Sequence, residues 1–269
     1  MTAVTGERVA ALLGQVRERH PLIHNITNIV TPGDVANLLL ALGAAPVMAH
    51  APEEVEEMAA QAGALVLNIG TLTAKAIDAM ILAGRRANER GIPVILDPVG
   101  AGATSFRSTE ALRILAEVRV GCIRGNTGEV ASLAGQRGTV RGVDATGVSG
   151  GVGDLARHVA RQTEATIAAT GVEDVVTDGK RTVLMTNGHP LLARITGSGC
   201  MASAAVGAFA AVEPDMLVAA VAGLVCFEVA AERAAEVAAG PGTFRAALID
   251  AVANLETPDI VARARVRTL

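Results

Sequence analysis

The sequence predicts an α/β fold in three layers, with a mostly parallel central sheet and helices on both faces. Short apolar runs alternate with stretches of helical apolar spacing through the first half of the chain, the signature of a parallel sheet covered on both sides. Near residues 174–186, apolar pieces separated by the turn signals Gly171 and Asp178-Gly179 add antiparallel strands at one edge. At 269 residues and 51% hydrophobic content, the chain can bury a sizeable core.

Taken in order, Val9, Leu12, Leu13 and Val16 lie at helical spacing in residues 7–19, and Pro21 stops that helix. Residues 22–26 read as a strand, and Pro32-Gly33-Asp34 opens a helix running to Leu42. Pro46–Ala49 is the next strand, and Ala51-Pro52-Glu53-Glu54 starts an acidic-first helix. Strands follow at 64–69, 93–96 and 122–124, and helices at 73–90, 106–118 and 127–133. Residues 135–150 are rich in Gly and polar residues and read as a loop. A helix at 154–162 precedes strands at 165–169, 175–176 and 181–186. From Gly199 to Asn254 the chain is mostly helix, which Glu213-Pro214-Asp215 cuts into runs of about a dozen residues, too short to span a bilayer. With no Pro- or Ser-rich linker and no repeat, residues 1–269 are expected to form a single domain.

Composition narrows the function. Net charge is −4 and no Lys/Arg block stands out, which argues against nucleic acid or an anionic membrane as partner. Aromatic content is 1%, with no Trp or Tyr, so the core must be built from Ala, Val, Leu and Ile. Cys122, Cys200 and Cys226 form no CxxC pair and no metal-ligand spacing, which fits a reducing compartment. The N-terminus carries charges inside its apolar pattern, unlike a signal peptide, so a cytoplasmic protein is expected.

The stretch Arg194–Phe209, RITGSGCMASAAVGAF, organises the chemistry. A turn of small residues feeds an Ala-rich helix, whose first N–H groups are unpaired and carry partial positive charge. Gly197, Ser198 and Gly199 thus form a candidate anion hole, with Cys200 as a reactive group at its rim. Ligands of an open parallel sheet bind beyond the carboxyl ends of its strands. There the sequence puts Asn25, Met48, Asn68, Asp97, Asn126 with Glu129, and Thr170-Gly171. Each also has a plain structural reading: Asp97-Pro98 as a turn, Asn126 and Glu129 as a helix cap, Met48 and Cys200 as core. Their joint placement favours a site, and the chemistry it supports is phosphoryl transfer. Asp97 and Glu129 can hold Mg²⁺, Arg124 can neutralise phosphate charge, and Cys200 stands where a base would sit. No Walker A loop and no protein-kinase signature is present.

Eight segments carry a resemblance to a known family: PLIHNITNIVTPGDVAN (21–37), APVMAHAPEEVEEM (45–58), LNIGTL (67–72), VILDPVGAGAT (94–104), IRGNTGEV (123–130), RGVDA (141–145), ATGVEDVVTDG (169–179) and NGHPLLARITGSGCMASA (187–204). The chain resembles the hydroxyethylthiazole kinases, thiamine-salvage enzymes of the ribokinase-like fold. The resemblance implies phosphorylation of the hydroxyl of 4-methyl-5-(2-hydroxyethyl)thiazole with ATP and Mg²⁺ by a homotrimer whose thiazole sites lie between subunits. By resemblance, Met48 and Gly197 contact substrate, Arg124 and Thr170 bind ATP, and Asp97 and Glu129 lie near the metal. Cys200 takes the place of the catalytic Asp that most ribokinase-like enzymes carry in a G-x-G-D turn, and Asn25 and Met48 serve a neighbour's site. Two rivals on the same fold, a hydroxymethylpyrimidine kinase and a repair lyase for hydrated nicotinamide nucleotides, would be expected to have an acidic residue in that turn. A third rival is a non-catalytic binder, against which the intact Asp97, Glu129 and Cys200 speak.

Overall fold

A computed structural model describes residues 4–135 and 151–269. Nine strands form one sheet: β1 (Leu22–Ile26), β2 (Ala45–Val47), β3 (Ala64–Asn68), β4 (Val94–Asp97), β5 (Cys122–Asn126), β6 (Thr166–Thr170), β7 (Asp174–Thr177), β8 (Thr182–Met185) and β9 (Val266–Thr268). Their order is β2-β1-β3-β4-β5-β6-β7-β8-β9. The first six pair in parallel and the last three are added antiparallel. The edge strands expected near 174–186 are therefore present. The sequence reading did not anticipate β9, which has three residues and no strong pattern of its own; it pairs Thr268 with Val183.

Eleven α-helices flank the sheet among the described residues: α1 (Gly6–Arg19), α2 (Pro32–Leu42), α3 (Val55–Gln61), α4 (Ala74–Glu89), α5 (Ser105–Glu117), α6 (Thr127–Leu133), α7 (Val152–Thr163), α8 (Ser198–Ala210), α9 (Met216–Val237), α10 (Pro241–Ala253) and α11 (Thr257–Arg263). Thr5, Thr73 and Thr104 cap α1, α4 and α5 by accepting from the backbone N–H three residues on. Two cores lie on opposite faces of the sheet, as the period-2 alternation of strand side chains requires. Val66 of β3 packs with α1, α2, α8, α9 and α10, whereas its neighbours Leu65 and Leu67 pack with α3 to α7. Phe209 and Phe244 are fully buried in the first core, where the remaining volume is filled almost entirely by aliphatic side chains.

Two boundaries differ from expectation. The helix expected from Ala51 begins only at Val55, because Pro52-Glu53-Glu54 forms a turn and Glu54 gives no side-chain cap. The second late run is not a dozen residues: α9 has 22. Its charges at Glu228, Glu232 and Arg233 lower its hydropathy, and among the described residues no helix is long and apolar enough to cross a membrane. The loop expected at 135–150 and the segment RGVDA at 141–145 lie, apart from residue 135, outside the described residues.

Candidate active site

The carboxyl ends of β3, β4 and β5 meet the first turn of α8. Gly197 caps that helix with φ 84°, a left-handed conformation that glycine adopts without strain. No side chain caps α8, so the amides of the 198–200 turn remain available to an anion. Gly199 is required for a different reason. A Cβ there would lie 2.6 Å from Nη1 of Arg124, so only glycine lets the guanidinium lie against the turn. Nη2 of Arg124 donates to Thr170 Oγ1 at 2.7 Å, and its buried Nε has no partner. Arg124, Thr170 and the anion hole thus share one corner of the fold.

Cys200 is joined to Asp97 by a pair of asparagine amides. Asn28 and Asn68 both donate from Nδ2 to Cys200 Sγ, at 3.2 and 3.3 Å. The second N–H of Asn28 goes to Asn68 Oδ1 at 3.0 Å, and that of Asn68 to Asp97 Oδ2 at 2.9 Å. Asn68 Oδ1 also accepts from Gly70 N, and Asn28 Oδ1 from Val30 N and Thr31 Oγ1. With the amide hydrogens and oxygens all engaged, neither amide can rotate without losing several bonds. Ser203, one turn along α8 from Cys200, donates to Asp97 Oδ2 at 2.8 Å. That leaves Asp97 Oδ1 buried with no partner. Burial pushes the Asp97 carboxyl up to about 6, against the opposing pull of Arg124, Ser203 and Asn68 and with a further push from Glu129.

Glu129 is a brace as well as a nearby charge. Its Oε1 accepts from Gly100 N and its Oε2 from Asn126 N, both at 2.8 Å, and Asn126 returns the cap to Glu129 N. The capping reading of this pair is therefore realised. Arg107 pins the loops after β3 and β4 by donating to the carbonyls of Ile69, Val99 and Gly70 at 2.7–3.0 Å. Among the described residues no three His, Cys, Asp or Glu side chains gather into a metal-binding group. The orphaned Oδ1 of Asp97 nevertheless fits a hard cation, and Mg²⁺ commonly takes only one or two protein carboxylates, completing its shell with phosphate and water.

A cavity of about 440 Å³ opens beside this corner, lined by Asn25, Asn28, Met48, Pro52, Asn68 and Met80 among others. Cys200 reaches its wall through Asn28 and Asn68. Asn25 donates to the carbonyl of Ile23, and its Oδ1 is buried without a partner. Fully buried His24, which the sequence left unassigned, bonds the carbonyl of Ala49 through Nε2 at 2.7 Å and so holds the segment that carries Met48. Burial lowers its pKa, which keeps the ring neutral with Nε2 as the donor.

The structure thus brings Asp97, Arg124, Thr170, Cys200 and the 197–199 turn together, with Glu129 at their border and Asn25 and Met48 in the adjoining cavity. Sequence reasoning missed Asn28 and Ser203 and gave Asn68 no role. The signal for Ser203 was its three-residue spacing from Cys200 on one helix face, and Asn68 stood at a strand end.

The fold defines the class first. A ribokinase-like superfamily protein from Enterococcus faecalis superposes with a TM-score of 0.65 over 90% of both chains at 13% identity, so the architecture is ribokinase-like. The structure of a hydroxyethylthiazole kinase protein from Pyrococcus horikoshii superposes with a TM-score of 0.89 at 46% identity, covering 97% of this chain and 98% of that one. Relatives described as hydroxyethylthiazole kinase are 52% identical in Methanoculleus marisnigri, over 98% of this chain and 94% of theirs, and 52% identical in Desulforudis audaxviator, over 97% and 96%. The profile of the hydroxyethylthiazole kinase family matches residues 13–258. The chain belongs to that family.

Proposed function

We propose that this protein transfers the terminal phosphoryl group of ATP to the hydroxyl of 4-methyl-5-(2-hydroxyethyl)thiazole, giving the thiazole phosphate used in thiamine diphosphate biosynthesis. Family membership supports the reaction. The observation that carries the site is the asparagine bridge: Asn28 and Asn68, on the wall of a cavity sized for a small ring, tie Cys200 at the amide nest to Asp97.

The residues divide the work. Arg124 and Thr170 bind the ATP phosphates, with the Arg124 guanidinium supplying the neutralising charge. The main-chain amides of Gly197, Ser198 and Gly199 form the hole for the migrating phosphoryl group, whose charge lies on its equatorial oxygens. Asp97 and, through water, Glu129 hold Mg²⁺; the ion when bound neutralises phosphate charge. Met48 and Asn25 line the cavity that takes the thiazole, and Gly197, at the start of α8, contacts the substrate. Cys200 orients the attacking hydroxyl, and two amide N–H groups on its sulfur fix where that atom sits. In a loose transition state such positioning contributes more than early removal of the proton.

The active form on this reading is a homotrimer with the thiazole site between subunits. Its support is the apolar rim of the cavity, where Ile29 is 84% exposed and the adjacent Val30 59% exposed. The three free cysteines fit a cytoplasmic location. ADP release by the purified enzyme, supplied with ATP, Mg²⁺ and a panel of thiazole and pyrimidine alcohols, tests the assignment. Turnover should be fastest with the hydroxyethylthiazole, with its phosphate found by mass spectrometry. A pyrimidine alcohol turned over faster, or no alcohol at all, would refute it. Light scattering reads the oligomer: a mass of one chain at micromolar concentration would refute the trimer.

A further inference from the structure

Behind Arg124 and Thr170 lies a carboxyl pair to which the proposed reaction gives no role. Asp174, at the start of β7, and Glu228, midway along α9, are 4% and 7% exposed. Their side chains face each other within hydrogen-bonding reach. Asp174 Oδ1 accepts from Gly171 N at 2.8 Å, while Asp174 Oδ2 and Glu228 Oε2 are buried and have no partner outside the pair. Two carboxylates cannot both stay ionised in so small a buried space, and neither has a donor to offer the other unless one keeps its proton. A single proton placed between them satisfies both groups. It also ties α9 to the turn that follows Thr170.

We propose that Asp174 and Glu228 share one proton and act as a positioning pair for the nucleotide end of the site, clamping Gly171 and thereby Thr170 and Arg124. This rests on the function proposed above only for the place of the nucleotide. The connection runs through bonds already described: Glu228 to Asp174, Asp174 to Gly171 N, and the neighbouring Thr170 to the guanidinium of Arg124. The pair keeps one negative charge. The charged groups facing it are Arg124 from β5, which favours that charge, and Glu232 one turn along α9, which opposes a second. Glu232 is itself held by Arg265, Asn187 and the amide of Gly188. Burial raises both carboxyls of the pair, Glu228 well above its ordinary value, and Arg124 draws both down.

The test compares two shapes at one position. In Glu228→Gln the amide supplies a permanent N–H to Asp174 in place of the proton. In Glu228→Leu the volume is kept and the donor is lost. ADP affinity, measured by calorimetry, should stay within about twofold of wild type in the Gln variant and fall roughly tenfold in the Leu variant, the scale of one buried charge-assisted hydrogen bond. The KM for the thiazole alcohol should stay within about twofold in both, since its cavity is on the other side of the sheet's site end. Raising the pH far enough to remove the shared proton should weaken ADP in wild type and leave the Gln variant flat. Should the Leu variant not fold, Asp174→Asn keeps the volume and the acceptor for Gly171 and should behave as the Gln variant does. Equal loss of ADP affinity in the Gln and Leu variants, or parallel rises in both KM values, overturns the pair. ADP binding reads the pair and thiazole phosphorylation reads the reaction, so the two fail separately.

Discussion

Replacing Asp97 by Asn should make this protein more stable and nearly inactive, and the gain in stability should grow with pH. Asp97 is fully buried at the end of β4, accepts two hydrogen bonds on Oδ2 and none on Oδ1, and has a carboxyl raised to about 6 from an ordinary 3.8. A carboxyl with a raised pKa holds its proton more tightly in the folded chain than in the unfolded one. Its contribution to stability is full below about pH 4, declines as pH rises, and is spent above about pH 6. At 1.4 kcal/mol per tenfold change in acidity, ionising it in place costs about 3 kcal/mol at pH 8 and about 1.5 kcal/mol at pH 5. An Asn oxygen accepts from Asn68 and Ser203 as Oδ2 does, so the neutral variant escapes the ionisation cost and keeps the bonds, at the smaller, pH-independent cost of an amide NH2 without an acceptor where Oδ1 stood. Urea titration in EDTA at the two pH values gives the difference directly. At pH 8 the midpoint should move up by about 1 M. Phosphoryl transfer should fall at least a hundredfold, the approximate scale of losing one preorganised charge contact. A stability difference that does not change with pH, or a variant weaker than wild type at pH 8, would refute the account of Asp97 as an anion held at a cost for a cation.

Other substitutions separate the remaining roles. Cys200→Ala should slow turnover without abolishing it, whereas Cys200→Asp should keep or improve it, because Asn28 and Asn68 already aim two donors at that position; a dead Asp variant that still binds ATP would refute the role. Arg124→Ala should raise the KM for ATP by roughly tenfold or more and leave that for the thiazole alcohol nearly unchanged, as the loss of a charged contact to phosphate requires; equal rises in both would refute it. Gly199→Ala should mimic the Arg124 variant in initial-rate kinetics, since the added Cβ occupies the place of the Arg124 Nη1, and unchanged ATP affinity would count against that packing.

Much of the architecture was legible because it follows from local pattern. The alternation of apolar runs and helical spacing gave the parallel strands, and Asp178-Gly179 gave an edge turn. What escaped depends on contacts between distant residues. Strand β9 pairs with β8 across about eighty residues of intervening helix, and nothing in Val266–Thr268 alone demands a strand. The late start of α3 turns on one missing cap at Glu54, at the scale of about 1 kcal/mol that propensity reasoning does not resolve. In the site the same division holds. Glycines before a helix, and polar residues at strand ends, could be read from the chain. That Oε1 of Glu129 reaches Gly100 N, or that Asp174 meets Glu228, could not, because the partners lie on different elements.

The chain has almost no aromatic residues with which to grip a ring or screen a charge, and its site relies on amides instead. Asn28 and Asn68 fasten the loop after β1, the end of β3, Cys200 on α8 and Asp97 on β4 into one hydrogen-bonded unit. On the proposed reading, a rigid unit of this kind links the ring cavity to the phosphoryl corner, so the distance between alcohol and phosphoryl group is set by the hydrogen-bonded framework and not by ligand packing. The arrangement carries a cost that the protein does not avoid: Asn68 satisfies Asp97 only on one oxygen, and the other is buried without a partner. Burial keeps the carboxyl high, and on the proposed reading the unsatisfied oxygen is where a cation would bind. Stability and affinity for the ion therefore trade against each other at one atom, and any substitution that relieves the first should weaken the second.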